Sequence, residues 1–553
     1  MQINHELEAV SITAITAAQK SGALPVFELP AVQIERPRDP SKGDYALPAA
    51  MQMARLARMN PLKIAQAIAD HIEQPEYIGE VTVAPPGFIN FRLSTAWLQA
   101  EVGRILTVGD AYGRFNLGSG KKAQVECVSA NPTGPITLGR TRGGVMGDTL
   151  ARVMRAAGYE VDLEYYYNDA GRQITLLGEA VRIRYLQEVG QDVDLGADHY
   201  QGDYIISIAQ EIHAAHGDAL VDAPVEFFGD YAKDRIAESQ KASLKRINIE
   251  FDVYFREQSL YESGKVDEVI AILEKNGYVY TQDGAKWFRS TEFGDDQDRV
   301  LVKETGEPTY RTPDMAYHLD KFQRGYDLVI DFFGPDHHAT APQVLMGVRA
   351  LGYDTDFVQT ILHQIISLVK DGRYVKMSTR RGTYITLDEL VDEVGSDAIR
   401  YFMISRSGNS QIEFDMDLAV EQSDKNPVYY IQNAHVRCAG ILRKWAAAGY
   451  DLDADMDADL SLLTNPRELS FLRKSIELSE VLEKIATTFE PHHITFYAYD
   501  LASMFHTTYE ECRVLHESVP EPLRLARLRF YKAAKQLFAR VLDLMGMSAP
   551  EVM

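Results

Sequence analysis

Cysteine is nearly missing from this chain: its 553 residues hold only Cys127, Cys438 and Cys512, far apart in sequence. That excludes a disulfide framework and a cysteine-built zinc site, and it fits reduced, buried thiols in a cytosolic protein. No apolar run approaches the roughly 18 residues that cross a bilayer, so no membrane-spanning role is expected. Residues 1–20 carry Glu6 and Glu8 and no basic stretch ahead of an apolar one, so no targeting leader is expected either. There is no internal repeat and no low-complexity tract. Bases are also in short supply, with 57 Lys and Arg against 80 Asp and Glu, a formal net charge of -23. This balance argues against indiscriminate nucleic-acid binding, although a large partner can still dock on local basic patches. It suits a cationic substrate, which needs carboxylates near its site; solubility alone explains it equally well.

What is present suffices for three or four domains. Residues 1–112 read as a small α+β unit. In "NPLKIAQAIADHI", Ile64, Ala65, Ile68, Ala69 and Ile72 recur at helical spacing behind Asn60 as N-cap and Pro61 in the first turn. "VTVAPPGFINFRLS" reads as two strands broken at Pro85-Pro86-Gly87. Residues 113–415 then change pattern. "AQVECVS" is a strand, "GGVMGDTLARVMRAAG" a helix with Val145, Met146, Leu150, Val153 and Met154 on one face, and "EVDLEYYY" a strand. That is a βαβ unit, the seed of a parallel sheet. "YDLVIDFFG", "APQVLMGVRALG" and "FVQTILHQII" add strand, helix and strand. A charged, helix-rich stretch at about 180–290 reads as an insertion. Residues 416–553 are helical throughout. The last helix presents Arg524, Arg529, Lys532, Lys535 and Arg540 away from Leu523, Phe530, Leu537 and Val541. The fold class is therefore α/β, a parallel-sheet domain between an N-terminal α+β domain and a C-terminal all-α bundle.

Two stretches can carry chemistry. "ANPTGPITLGRTRGG" (Ala130 to Gly144) links the first strand of the βαβ unit to its helix, where open α/β sheets bind ligands. A helix N-terminus there suits phosphate, yet the turn fits neither G-x-G-x-x-G nor G-x-x-x-x-G-K-[ST]; a purely structural turn also explains Gly139, Gly143 and Gly144. In "GRYVKMSTRRGTYITLDEL", Lys376, Arg380 and Arg381 surround a polar loop, followed by Thr386 and Glu389 at capping-box spacing. Such a loop can clamp a triphosphate, or be an ordinary basic surface loop. "PDHH" at Pro335 to His338 also occurs in metal-dependent phosphoesterases, but the further ligand motifs those sites need are not found.

Taken together, "PITLGR" and "KMSTR" resemble the two signatures of class I aminoacyl-tRNA synthetases, commonly written HIGH and KMSKS. The resemblance extends to the arginyl-tRNA synthetases. "GDYALPAAMQMARLARMNP", "ANPTGP", "YYYNDAGRQI", "YRTPDMAYHLDKF", "FGPDHHATAPQ", "TLDELVDEVGSDAIRYF", "NPVYYIQNAHVR" and "MSAPEVM" are similar to segments of that family, in its order, over nearly the whole chain. Each is weak alone; as a set they are specific.

The resemblance implies a Rossmann-like catalytic domain, a tRNA-contacting N-terminal domain and an anticodon-binding bundle, with L-arginine, ATP (with Mg2+) and tRNA(Arg) as reactants of a cytoplasmic monomer that has no metal site of its own. By matching position, Glu126 and Asn131 hold the amino acid near its ammonium. Asp314, with Tyr310 four residues earlier, faces the guanidinium, and Gln343 belongs to the same pocket; without the resemblance, Asp314 reads equally as a solvated loop acid. Pro132, Gly139, Arg140, Asp336, His337, Lys376, Met377 and Ser378 are expected at ATP. Thr137, Gly139, Arg140, Lys376, Ser378, Thr379 and Arg380 are expected to serve the chemistry. The chain departs from the family in three places. Thr137 and Arg140 stand where the first signature normally has histidines. Thr379 stands where the second commonly has another lysine. Gly134 occupies the position where some relatives place a compensating lysine, leaving Arg380 or Arg381 to substitute. The altered first signature keeps a rival in view, a synthetase-like protein that binds tRNA or arginine without activating it. A synthetase for another amino acid is disfavoured by Asp314 and the arginyl-type flanking segments.

Overall fold

A computed structural model describes residues 2–335, 340–375 and 385–553. The N-terminal unit joins the helix Ile3–Lys20 to an antiparallel sheet of β1 (Tyr45–Leu47), β2 (Ile78–Ala84) and β3 (Phe88–Leu93), in the order β1-β3-β2. The helix Pro61–Ala69 starts where the sequence predicts, with the Asn60 side chain accepting the Leu62 N–H at 2.8 Å. Arg36 holds Glu480 of the C-terminal bundle through two bonds of 2.9 Å, and Arg473 of the bundle reaches Asp44 at 2.9 Å. The two ends of the chain are thereby docked on one another.

The central sheet is parallel throughout. It is built from β4 (Lys122–Glu126), β5 (Glu160–Tyr167), β6 (Val253–Arg256), β10 (Leu328–Phe333) and β11 (Val358–Leu362), in the order β11-β10-β4-β5-β6. Between β6 and β10 the strands β7 (Val279–Gln282), β8 (Ala285–Phe288) and β9 (Arg299–Val302) form a small antiparallel sheet. The stretch read as a helical insertion at about 180–290 thus contains a strand of the main sheet and two of a satellite sheet. Its helices Arg172–Glu188, Asp203–His216 and Val225–Arg246 gather around their own core of Leu177, Tyr185 and Phe228. The run Phe357–Ile366, read as one strand, is two. β11 ends at Leu362, and β12 (Ile366–Lys370) joins β13 (Arg373–Tyr374) and β14 (Ile412–Asp415) in a separate sheet. The break falls where other partners take the backbone of Gln364: its N–H donates to the Gly408 carbonyl at 2.9 Å and its carbonyl accepts from Arg142 at 2.6 Å.

The helix Leu138–Ala156, which crosses from β4 to β5, packs on β4 at backbone distance. A Cβ at Gly144 would lie 2.7 Å from Val128 Cγ2, and one at Gly147 2.5 Å from Cys127 Sγ. Gly147→Ala is therefore expected to destabilise the protein by about 1–3 kcal/mol, as overpacking does. Thermal unfolding checks this; an unchanged midpoint means the helix has room to shift.

The C-terminal bundle comprises Pro427–Ala447, Pro466–Ile476, Leu478–Thr488, His492–Glu511 and Glu521–Leu544. The basic side chains that the sequence places on the polar side of the last helix are largely paired within the chain. Lys532 meets Asp455 at 2.6 Å, Lys535 meets Glu551 at 2.6 Å and Arg540 meets Asp543 at 2.8 Å. Arg529 donates to the Asp455 carbonyl at 3.2 Å. A helical wheel places such residues on a polar face but does not show which acids the fold brings to them.

Candidate active site

The connection from β4 runs to β5 on one side, while β10 lies on the other, so the strand order reverses between β4 and β10. Open α/β sheets bind their ligands beyond the carboxyl ends of the strands at such a point. A cleft of about 330 Å³ opens there, lined by Glu126, Asn131, Arg140, Tyr310 and Asp314 among others. Five sequence-predicted residues thus come from two distant stretches, 126–140 and 310–314, to one place.

The turn leaving β4 is strained. The Ser129 N–H bonds to the Cys127 carbonyl at 2.9 Å around Val128, whose φ is 67°. That is a γ-turn with positive φ at a β-branched residue, a costly conformation that persists only when its surroundings enforce it. Arg140 enforces it in part, donating from Nη1 to the Val128 carbonyl at 3.1 Å. Gln240, buried on the helix Val225–Arg246, donates to the carbonyls of Asn131 (3.0 Å) and Gly134 (2.7 Å). Tyr204 donates to the Thr133 carbonyl at 2.7 Å. The insertion helices therefore hold the signature turn in shape. Thr137 is the N-cap of the following helix, without a side-chain capping bond, and pairs through its backbone with Thr386. The adjacent Ile136 carbonyl accepts the Leu387 N–H at 3.0 Å. Pro132 is buried and Gly139 exposed.

The acids differ in how they are held. Glu126 ends β4, buried, with Ser129 Oγ donating to one oxygen at 2.7 Å and Lys321 Nζ to the other at 2.6 Å. Asp314 sits in the first turn of the helix Arg311–Gln323, and its carboxylate is influenced by burial and neighbouring charges, with no hydrogen bond to it from the described residues. Burial pushes its pKa up to about 6, with His318 opposing and Glu126 adding to the shift. Tyr310, half exposed, carries the Arg311 guanidinium 4.6 Å from its ring centre. Gln343 accepts from Arg311 Nε at 2.9 Å and is not among the lining residues.

Sequence reasoning missed Glu257. It follows β6 in the stretch read as insertion, lines the cleft and accepts from Tyr166 at 3.0 Å. Burial raises its pKa to about 7. No motif or periodicity marks it; the signal available was the strand "VYFR" just before it. Asp336, His337, Lys376, Met377, Ser378, Thr379, Arg380 and Arg381 lie outside the described residues.

Three family models match consecutive parts of the chain. They are "Arginyl tRNA synthetase N terminal domain" over residues 3–93, "tRNA synthetases class I (R), catalytic domain" over 101–407 and "DALR anticodon binding domain" over 431–553. The arginine–tRNA ligase of Carboxydothermus hydrogenoformans is 43% identical over 541 residues, covering 97% of each chain. The chain belongs to the arginyl-tRNA synthetases. The arginine–tRNA ligase of Geobacillus kaustophilus is 44% identical over 542 residues, again covering 97% of each. A solved structure described as a putative arginyl-tRNA synthetase from Campylobacter jejuni superposes with a TM-score of 0.77 at 32% identity, covering 83% of this chain and 100% of that one. As an arginyl-tRNA synthetase the chain is a class I enzyme, and its cleft is that of the catalytic domain. Among the described residues, one group could hold a metal ion: Glu490, His492 and His493, at the start of a bundle helix and not in the cleft lining. No helix of the described residues is long and apolar enough to cross a membrane.

Proposed function

We propose that this chain ligates L-arginine to tRNA(Arg) in two steps at the cleft between β4 and β10, as a monomer in the cytoplasm. The arginine carboxylate attacks the α-phosphorus of ATP, pyrophosphate leaves, and arginyl-adenylate remains. The 2′- or 3′-hydroxyl of the terminal tRNA adenosine then attacks the arginyl carbonyl, and AMP leaves. Mg2+ travels with the nucleotide as part of that substrate. Such in-line chemistry needs positioning and charge stabilisation, not a covalent nucleophile.

The observation that carries this reading is the Asp314 carboxylate, which accepts no hydrogen bond from the described residues, in a cleft that also receives Glu126 and Glu257. Buried charge is normally paired, and a planar guanidinium supplies paired donors that fit a carboxylate. In this reading Asp314 takes the guanidinium, with Tyr310 at its side, while Glu126 and Asn131 take the ammonium. Gln343 acts through Arg311 at the rim of the same pocket. The start of the helix Leu138–Ala156 faces the triphosphate through Pro132, Thr137, Gly139 and Arg140. Lys376, Met377, Ser378, Thr379 and Arg380 serve the phosphates, and Asp336 and His337 serve the ribose and adenine. The N-terminal unit to residue 112 contacts tRNA, and the bundle from residue 416 reads the anticodon.

Arginine-dependent pyrophosphate exchange with and without cognate tRNA tests the proposal. Exchange with arginine and not with lysine or citrulline, followed by charging, is expected. Intact tRNA binding with neither exchange nor charging would establish the non-activating rival instead.

A further inference from the structure

Three neighbouring strands carry carboxylates in one row. Asp331 on β10 lies opposite Glu126 on β4, and Glu126 lies opposite Glu164 on β5. All three are buried. Like charges opposite one another weaken a sheet, and a buried charge without a partner is strongly destabilising. The counter-charges come from the helix Arg311–Gln323 and the residue after it. Arg324 forks onto Glu164 at 2.5 and 2.9 Å. Lys321, fully buried, donates to Glu126 Oε2 at 2.6 Å and Asp331 Oδ1 at 2.7 Å. Its ammonium lies 4.2 Å from the centre of the Tyr317 ring. His318 Nε2 stands 3.2 Å from the other Asp331 oxygen.

Lys321 thus bridges the two strands that flank the point where the strand order reverses. Its three donors have two carboxylates and an aromatic face to meet, so it has no donor directed at a ligand. Each oxygen of a carboxylate has two acceptor positions. With Ser129 on one oxygen and Lys321 on the other, Glu126 keeps one position on each for something in the cleft. We propose that Lys321 is a positioning residue for the amino-acid substrate: shared between Glu126 and Asp331, it fixes Glu126 as an oriented anion that receives the substrate ammonium. The inference rests on the reading of this cleft as the arginine site. Burial pushes Glu126 toward its protonated form; Lys321 opposes that and Asp331 adds to it. Burial also works against the Lys321 charge, but Asp331 and Glu126 outweigh it.

The test compares Lys321→Met with the double variant Lys321→Met/Asp331→Asn in arginine-dependent pyrophosphate exchange, with cognate tRNA present. The double variant removes a buried cation together with a buried anion, so it is expected to unfold at a higher temperature than Lys321→Met. In both variants KM for arginine is expected to rise at least about tenfold while KM for ATP stays within about twofold, the pattern of lost ground-state binding. A purely structural role would let the arginine KM recover with the stability. A folded double variant with wild-type KM for arginine therefore overturns the inference. Failure of the wild type itself to exchange with arginine would overturn the reading of the cleft instead.

Discussion

Replacing Asp314 by asparagine is expected to lower kcat/KM for arginine by about 10²- to 10³-fold, from the roughly 2–5 kcal/mol at stake when one partner of a buried, hydrogen-bonded charge pair is removed. The same change is expected to raise thermal stability at neutral pH. The sign follows from proton linkage. The Asp314 pKa is about 6 in the folded protein, because burial outweighs His318, against roughly 4 in an unfolded chain. Between those values the folded state binds more protons than the unfolded one, so stability falls as pH rises through the window. Asparagine removes that dependence. Activity runs the other way: arginine needs the ionised carboxylate, so kcat/KM for arginine in the wild type should fall as pH drops through about 6. Melting curves and pH profiles of the two proteins check both limbs. A variant that loses activity and stability together would mean that Asp314 supports the fold and does not hold substrate charge.

The second large effect concerns Arg140. Arg140→Ala is expected to lose most adenylate formation, on the order of 10²- to 10³-fold, the usual cost of one donor to developing negative charge. The expectation rests on the hypothesis that the Arg140 guanidinium takes the role that an imidazole has in the usual form of the first signature. Arg140 lines the cleft at the first turn of the helix and also donates to the Val128 carbonyl of the strained turn. Arg140→Lys keeps the charge and loses the planar fork. Partial activity in the lysine variant, with little in alanine, separates charge from turn support. A near-normal rate of pyrophosphate exchange in Arg140→Ala would sink the idea.

The strands β4, β5 and β10 and the helix between the first two were legible because each announces itself locally. Apolar runs such as "YDLVIDFFG" need burial on both faces, and Asn60 and Thr386 mark helix starts by their own side-chain bonds. The fold parts from local expectation where distant partners decide. Gln364 breaks a β-like run because Gly408 and Arg142 take its backbone. Lys532 and Lys535 lie on a polar face, but Asp455 and Glu551 meet them there. The site divides the same way. Glu126, Asn131 and Asp314 sit in motifs that name them, whereas Glu257 reaches the cleft through the pairing of β6 with β5, and its only local mark is the short strand "VYFR" before it.

The backbone pairing of Ile136 and Thr137 with Thr386 and Leu387 joins the start of the first signature to the exit of the second. It acts as a mechanical tie between two segments more than 240 residues apart in sequence. The start of the helix Leu138–Ala156 cannot shift away from the start of the helix Leu387–Val394 without breaking these main-chain bonds. The tie is made of main-chain atoms, so substitution at Thr137 leaves it standing. Position 137 is therefore one where the side chain can change while the main-chain link between the two helix starts persists.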